Sequence, residues 1–203
     1  MIFWIFIGVM ALTFLLTVLV LKRLIPWLKS MKMGQKILDI GPRWHKSKEG
    51  TPTMGGLAFI GAMSVTVTAA VAVGIVSGAL ETYAELIVTF IMALLSGVIG
   101  MIDDSAKLRK KQNEGLTASQ KFLLQLILAG GYIFAMSMVG GITTELYIPF
   151  IGVSLELGIL YYVFALVLIC GMYNSVNLND GIDGLCSTMS AAVGGFFALA
   201  AFT

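Results

Sequence analysis

Apolar residues in this chain neither alternate nor recur every third or fourth position; they run in long blocks interrupted by short polar segments. Residues 1–21, 55–80, 86–102, 122–144, 157–179 and 184–203 contain no Asp, Glu, Lys or Arg. A transmembrane helix needs about 20 predominantly apolar residues, so each block predicts one span. The expected fold class is all-α: a polytopic integral membrane helical bundle of about six spans, forming a single membrane domain over residues 1–203. The first block is followed by Lys22 and Arg23, the reverse of a signal peptide, whose basic residues precede its apolar stretch. It therefore reads as a retained first span.

The charged residues orient the spans. All 13 basic residues fall in two places, eight between Lys22 and Lys48 and five between Lys107 and Lys121. Spans alternate in direction, so both segments share one side, and the excess of basic residues in cytoplasmic loops makes that side cytoplasmic. This places the N-terminus outside and the segments 22–54, 103–121 and 174–183 inside. The connections near 81–85 and 145–156 carry Glu81, Glu85, Glu145 and Glu156 and no basic residue, as the same topology requires.

Composition closes off other classes. Of the 203 residues, 58% are hydrophobic and 12% charged, against roughly 45–50% and 25% in a soluble domain, and the mean hydropathy is +0.95. No large extramembrane domain fits, and a formal charge of +2 gives no reason to expect a nucleic-acid partner. Cys170 and Cys186 sit in apolar surroundings and read as small buried hydrophobes.

Three polar clusters stand out. The pair Asp103-Asp104 follows the third block and is expected at its helix C-terminus, where anions are unfavourable by a few tenths to about 1 kcal/mol each. Lys107, three and four residues on, offers part of the compensation. A divalent cation offers the rest, since Mg²⁺ takes one or two carboxylates together with phosphate oxygens and water; a solvated boundary pair is the plainer alternative. The second cluster is Asn174, Asn177, Asp180 and Asp183, spaced every three residues. An α-helix would fan these four over half its circumference, whereas a 3₁₀ turn or a helix broken at Gly181 and Gly184 would align them. Such a polar turn suits a substrate pocket, although capping of the sixth helix would explain one of the two Asp residues.

The third cluster is the run His45-Lys46-Ser47-Lys48-Glu49-Gly50-Thr51-Pro52-Thr53-Met54-Gly55-Gly56. Thr51 or Thr53 could cap the second span with Pro52 in its first turn, leaving free N–H groups beside Gly55 and Gly56 as an anion site. Around a turn at Asn113-Glu114-Gly115-Leu116 lie Lys107, Arg109, Lys110, Lys111 and Lys121, a patch that would attract a phosphorylated lipid. All these clusters converge on one membrane face, while the span interiors stay uncharged. That favours phosphate chemistry on a lipid over an ion pathway, which would place charge at mid-span.

The His45 to Gly56 run, Asp103-Asp104 with Lys107, and Asn174-Ser175-Val176-Asn177-Leu178-Asn179-Asp180-Gly181-Ile182-Asp183-Gly184-Leu185 together resemble the polyprenyl-phosphate N-acetylhexosamine-1-phosphate transferases. Gly50-Thr51-Pro52-Thr53-Met54-Gly55-Gly56 looks like their phospho-N-acetylmuramoyl-pentapeptide-transferase branch. The resemblance implies transfer of phospho-N-acetylmuramoyl-pentapeptide from its UDP carrier to undecaprenyl phosphate at the cytoplasmic face of the bacterial plasma membrane. The products would be lipid I and UMP, in peptidoglycan synthesis. It also implies Mg²⁺ and a homodimer.

Carried over by position, Asp103 and Asp104 would be the essential carboxylates, with Asp104 nearer the metal. His45, Lys48, Lys107, Lys121, Asn174, Asn177, Asp180 and Asp183 would bind the substrates. The family has about ten spans and further motifs, a Phe-Met-Gly-Asp segment and a histidine-rich segment, that these 203 residues do not contain. With the apolar run up to Phe202, this raises the expectation of a longer parent protein. A UDP-GlcNAc donor, and an inactive fragment acting only in assembly, are the rival readings.

Overall fold

A computed structural model describes residues 2–31, 50–76, 78, 83–110 and 115–200, and His45 and Lys48 lie outside them. The described residues form six helices: α1 (Ile2–Ser30), α2 (Gly56–Val76), α3 (Ala84–Lys110), α4 (Ala118–Met138), α5 (Ile159–Asn179) and α6 (Leu185–Ala200). A two-stranded hairpin, β1 (Glu145–Ile148) and β2 (Val153–Glu156), separates α4 from α5. The first five helices are long and apolar enough to cross a membrane, and α6 is a shorter apolar helix of 16 residues. The fold is thus the expected all-α polytopic membrane bundle.

Several boundaries differ from the expected ones, each for a local reason. Helix α1 does not stop at residue 21 but carries Lys22, Arg23 and Pro26 within it. Lys and Arg are good helix formers, their apolar stems follow a membrane surface while the charges reach water, and proline is tolerated in membrane helices. Helix α3 likewise runs past residue 102 to Lys110. Asp103 and Asp104 therefore lie inside a helix, about two turns before its end, and the helix-terminus argument for a compensating charge does not apply to them.

The segment 174–183 is not one polar turn. Helix α5 continues to Asn179 with Asp180 as its C-cap, and the reversal occupies residues 180–184, ending at Gly184 with φ +82°. Asn174, Asn177 and Asn179 have weak helix propensity, yet they complete the span, and the chain reverses only over 180–184, where Gly181 and Gly184 lie.

Each helix packs on its neighbour in sequence: α1 on α2, α2 on α3, α3 on α4, α4 on α5 and α5 on α6. The helices therefore run up and down, and their termini gather at two ends. Gly97 of α3 lets α2 approach closely, since a Cβ there would stand 2.5 Å from Ile60 Cδ1. Polar clasps fix other seams. Thr13 Oγ1 of α1 lies 3.2 Å from Thr66 Oγ1 of α2, and Thr89 Oγ1 of α3 lies 3.2 Å from Tyr132 Oη of α4. Between α5 and α4, Asn174 Nδ2 donates to Gln125 Oε1 at 2.8 Å.

These contacts fix the axial register. One end of the bundle holds the C-terminal parts of α1, α3 and α5 and the N-terminal parts of α2 and α4. The hairpin occupies the opposite end, beyond Met138.

Candidate functional site

The site is built where α3 ends and α4 begins. Asp103 is buried, a rare state for a carboxylate unless its oxygens are paired. Its Oδ1 accepts the Leu116 N–H at 2.8 Å, and its Oδ2 lies 2.9 Å from Lys107 Nζ and 3.0 Å from Lys121 Nζ. Two ammonium groups from different helices thus share one carboxylate oxygen. Lys107 also reaches Asp104 Oδ1 at 3.0 Å, so it bridges both carboxylates one helical turn below it. With the lysine side chains about one-third exposed, at 34% and 31%, each pair taken singly is worth about 1 kcal/mol or less. The arrangement matters more for where it holds the charges than for what it adds to stability.

The connection that brings Lys121 to Asp103 is closely fitted. Thr117 caps α4: its Oγ1 accepts the Gln120 N–H at 3.3 Å, while Gln120 Oε1 accepts the Thr117 N–H at 3.0 Å. This reciprocal capping box satisfies two N–H groups that the helix cannot pair internally. It starts α4 at Ala118 and so puts Lys121 in the first turn. Just before it, Gly115 is buried against α3, and an added Cβ would lie 2.6 Å from the Asp103 carbonyl oxygen and nearer still to its carboxylate. Only glycine leaves Leu116 room to present its N–H to Asp103.

The two carboxylates are not equivalent. Both oxygens of Asp103 are engaged, and its side chain is 13% exposed; that of Asp104 is 26% exposed, and its Oδ2 has no hydrogen bond or ion pair among the described residues. Among the described residues, Asp104 is thus the carboxylate that keeps an oxygen for a further ligand. Mg²⁺ draws most of its ligands from water and phosphate and needs one or two carboxylates. Asp104 fits that donor set, whereas Asp103 would have to give up a lysine or the Leu116 N–H. Among the described residues no group of three His, Cys, Asp or Glu side chains converges.

The Asn/Asp cluster reaches the same end without touching the pair. Tyr173 Oη donates to the Ser96 carbonyl at 3.2 Å, fixing α5 beside α3 about two turns below Asp103. Asn174, expected in the pocket, is committed elsewhere: Nδ2 donates to Gln125 Oε1 and to the Cys170 carbonyl, both at 2.8 Å. Asn177, Asp180 and Asp183 lie further along, at the end and after the end of α5, and are exposed. They are not aligned by a 3₁₀ turn. Asn177 stands on regular helix, Asp180 at the cap and Asp183 in the reversal before α6.

At the start of α2, Met54 has φ +66° and the first turn is tight, with Leu57 N–H to Met54 O at 3.2 Å and Ala58 N–H to Gly55 O at 3.1 Å. Thr53 does not cap this helix; its Oγ1 is buried with no partner among the described residues. Leu116, Gly115 and Gln125 were not singled out as site residues from sequence. The Thr117-x-x-Gln120 pattern was the available signal for the first two, and a lone Gln inside an apolar block for the third.

Comparison with known proteins gives two family matches: glycosyl transferase family 4 over residues 86–203, and phospho-N-acetylmuramoyl-pentapeptide-transferase signature 1 over residues 48–60. Curated relatives that it resembles include proteins named phospho-N-acetylmuramoyl-pentapeptide-transferase. The one from Staphylococcus carnosus is 39% identical over 191 residues, which is 93% of this chain and 58% of the relative. That from Geobacillus kaustophilus is 40% identical over 193 residues, 95% of this chain and 58% of the relative. That from Listeria monocytogenes is 37% identical over 196 residues, 97% of this chain and 59% of the relative. The chain thus spans somewhat under three-fifths of the length of the curated relatives it matches.

Proposed function

The chain belongs to glycosyl transferase family 4, and from that premise we propose that it carries the phosphate-handling site of a phospho-N-acetylmuramoyl-pentapeptide-transferase. The donor is UDP-MurNAc-pentapeptide, the acceptor undecaprenyl phosphate, and the products lipid I and UMP. The observation that carries the reading is the Asp103 carboxylate held between Lys107 and Lys121, with Asp104 beside it. An oxygen of the lipid phosphate bonds to the sugar-bound phosphorus while the anhydride oxygen departs with UMP. Charge accumulates on phosphoryl oxygens, so such a site acts chiefly by positioning and electrostatics.

Lys107 and Lys121 supply that positive charge, and Asp103 holds them in place until a phosphate takes its position. Asp104 would hold Mg²⁺, which supplies charge neutralisation to a diphosphate. Asn177, Asp180 and Asp183, with His45 and Lys48 from the sequence before α2, bind the nucleotide and sugar. Asn174 acts through Gln125, as a positioning residue. The signature match over residues 48–60 favours this donor over UDP-GlcNAc. The excess of basic residues in segments 22–54 and 103–121 supports the reading that this site faces the cytoplasm, in a bacterial plasma membrane and with the N-terminus outside. A homodimer is the proposed assembly.

The test gives the purified chain UDP-MurNAc-pentapeptide, undecaprenyl phosphate and Mg²⁺ and measures UMP, alongside binding of undecaprenyl phosphate by native mass spectrometry. Lipid-dependent UMP release is expected, abolished in Asp104→Asn. Turnover by that variant at the parent rate would refute the site, and equal release from UDP-GlcNAc would refute the donor. Absence of both release and lipid-phosphate binding would refute the function.

A further inference from the structure

The hairpin between α4 and α5 is an amphipathic ribbon whose apolar face is only partly covered. In its antiparallel register Leu146 stands opposite Leu155 and Ile148 opposite Val153, while Glu145 stands opposite Glu156 and Tyr147 opposite Ser154. Directly opposed residues share a face and successive residues alternate. One face is therefore wholly Leu, Ile and Val, and the other carries both carboxylates, a tyrosine and a serine. The loop joining the strands, Pro149-Phe150-Ile151-Gly152, contains no charge, and Phe150 is 97% exposed. Leu155 and Val153 are exposed as well, while Leu146 and Ile148 are half-buried. An isolated two-stranded hairpin is marginally stable at best in water; this one needs a cover for its apolar side.

Its tether limits what that cover is. Six residues separate Met138 from Glu145, and two separate Glu156 from Ile159. The base is closed by the Leu157 N–H to Thr144 carbonyl bond at 3.0 Å, by a Thr144 hydroxyl to Glu156 bond, and by the Gly158 N–H to Glu156 Oε1 bond at 3.1 Å. The ribbon is thus pinned to the first turn of α5, whose Ile159 and Leu160 are themselves exposed apolar residues at the end of a span. The ribbon therefore starts at the level where that span leaves the hydrocarbon core.

We propose that residues 145–156 lie on the bilayer, at the end of the bundle remote from Asp103, with Leu146, Ile148, Val153 and Leu155 turned toward the lipid. Phe150 and Ile151 anchor the tip in the interfacial zone, and Glu145, Glu156 and Ser154 face water. No basic residue lies in the ribbon, so the partner is the apolar part of the interface and not an anionic headgroup.

The test places a nitroxide at Phe150→Cys, Leu155→Cys or Ser154→Cys in a Cys170→Ala, Cys186→Ala chain, reconstituted in phosphatidylcholine vesicles. Relaxation is then read against dissolved oxygen, which partitions into lipid, and a water-soluble nickel complex. The oxygen-to-nickel accessibility ratio should be several-fold higher at 150 and 155 than at 154, and unchanged when phosphatidylglycerol is added. A nickel-accessible label at all three positions would overturn the proposal in favour of a hairpin standing in water. Protection of 150 and 155 from both reagents would overturn it in favour of a protein cover. Phe150→Trp in the otherwise unaltered chain checks the outcome independently: brominated lipid should quench the added fluorescence and iodide should not, and the reverse would count against the proposal.

Discussion

Gly115 offers a direct test of how the α3–α4 junction is held. Its φ lies outside the left-handed region, so an alanine there is excluded by space alone: the new Cβ would meet the Asp103 carbonyl oxygen at 2.6 Å and the carboxylate closer still. Both are held, one by helix α3 and the other by Leu116, Lys107 and Lys121. Relief requires the 115–117 segment to move away, which removes the hydrogen bond from the Leu116 N–H to a charged acceptor, worth about 1.5–3 kcal/mol. Overpacking typically adds about 1–3 kcal/mol, part of which the same movement relieves. Gly115→Ala should therefore destabilise by about 2–4 kcal/mol, lowering the thermal midpoint of the purified protein in micelles by on the order of 10 °C. Gly131→Ala in α4 is the control, since nothing lies within 4 Å of its added methyl; it should be neutral or stabilising by up to about 1 kcal/mol. Equal midpoints for the two variants would refute the close fit between Gly115 and Asp103.

The other predictions concern neighbouring contacts. Lys107→Ala should destabilise more than Lys121→Ala, because Lys107 bridges two carboxylates and Lys121 one; unfolding of the two variants in micelles compares them directly, and the opposite order would contradict the bridge. Thr117→Ala should cost about 1 kcal/mol through loss of the capping box, visible in the same unfolding assay and absent in Thr117→Ser. A double-mutant cycle on Gln125→Ala and Asn174→Ala should return a coupling of about 0.6 kcal/mol, with about 1.7 as its ceiling. A coupling of zero would mean that α4 and α5 are not clasped there.

How far the architecture could be read beforehand depended on the kind of signal each part leaves. Blocks of uncharged residues locate spans because each must fill the bilayer core, and helices α2, α4 and α5 begin or end close to the expected limits. The uncharged blocks 1–21 and 86–102 do not mark the ends of α1 and α3, because charge ends only the hydrocarbon-facing part of a helix; Lys22, Arg23 and Lys107 continue theirs. The hairpin escaped notice because a four-residue strand leaves no more than two periods of alternation, and here Leu146-Tyr147-Ile148 sits between apolar blocks that hide it.

At the site, the partnership of Lys107 with both carboxylates follows from helical spacing and was legible. The arrival of Lys121 at Asp103 was not, since it depends on a reversal whose geometry is set by Gly115 and Thr117 together. Nor could spacing alone show that Asn174 is spent on Gln125.

The clasps also account for why these helices take one register. In lipid, apolar burial gives no preference among helix faces, because the acyl chains are as apolar as leucine. Exposed side chains such as Phe14, Phe134 and Val167 therefore carry little positional information. What distinguishes one packing from another is the small number of groups that lipid cannot satisfy or that permit close approach: Thr13 with Thr66, Gly97 under Ile60, Thr89 with Tyr132, and Gln125 with Asn174. Each seam from α1 to α5 contains one of them. Sliding any helix by a turn would break its clasp and, for α3, α4 and α5, carry Asp103, Lys121 or Asn177 about 5 Å out of level with the others. The charged end of the bundle is thus held by contacts one to several turns inside the membrane, and the uncharged span interiors position the polar site without taking part in its chemistry.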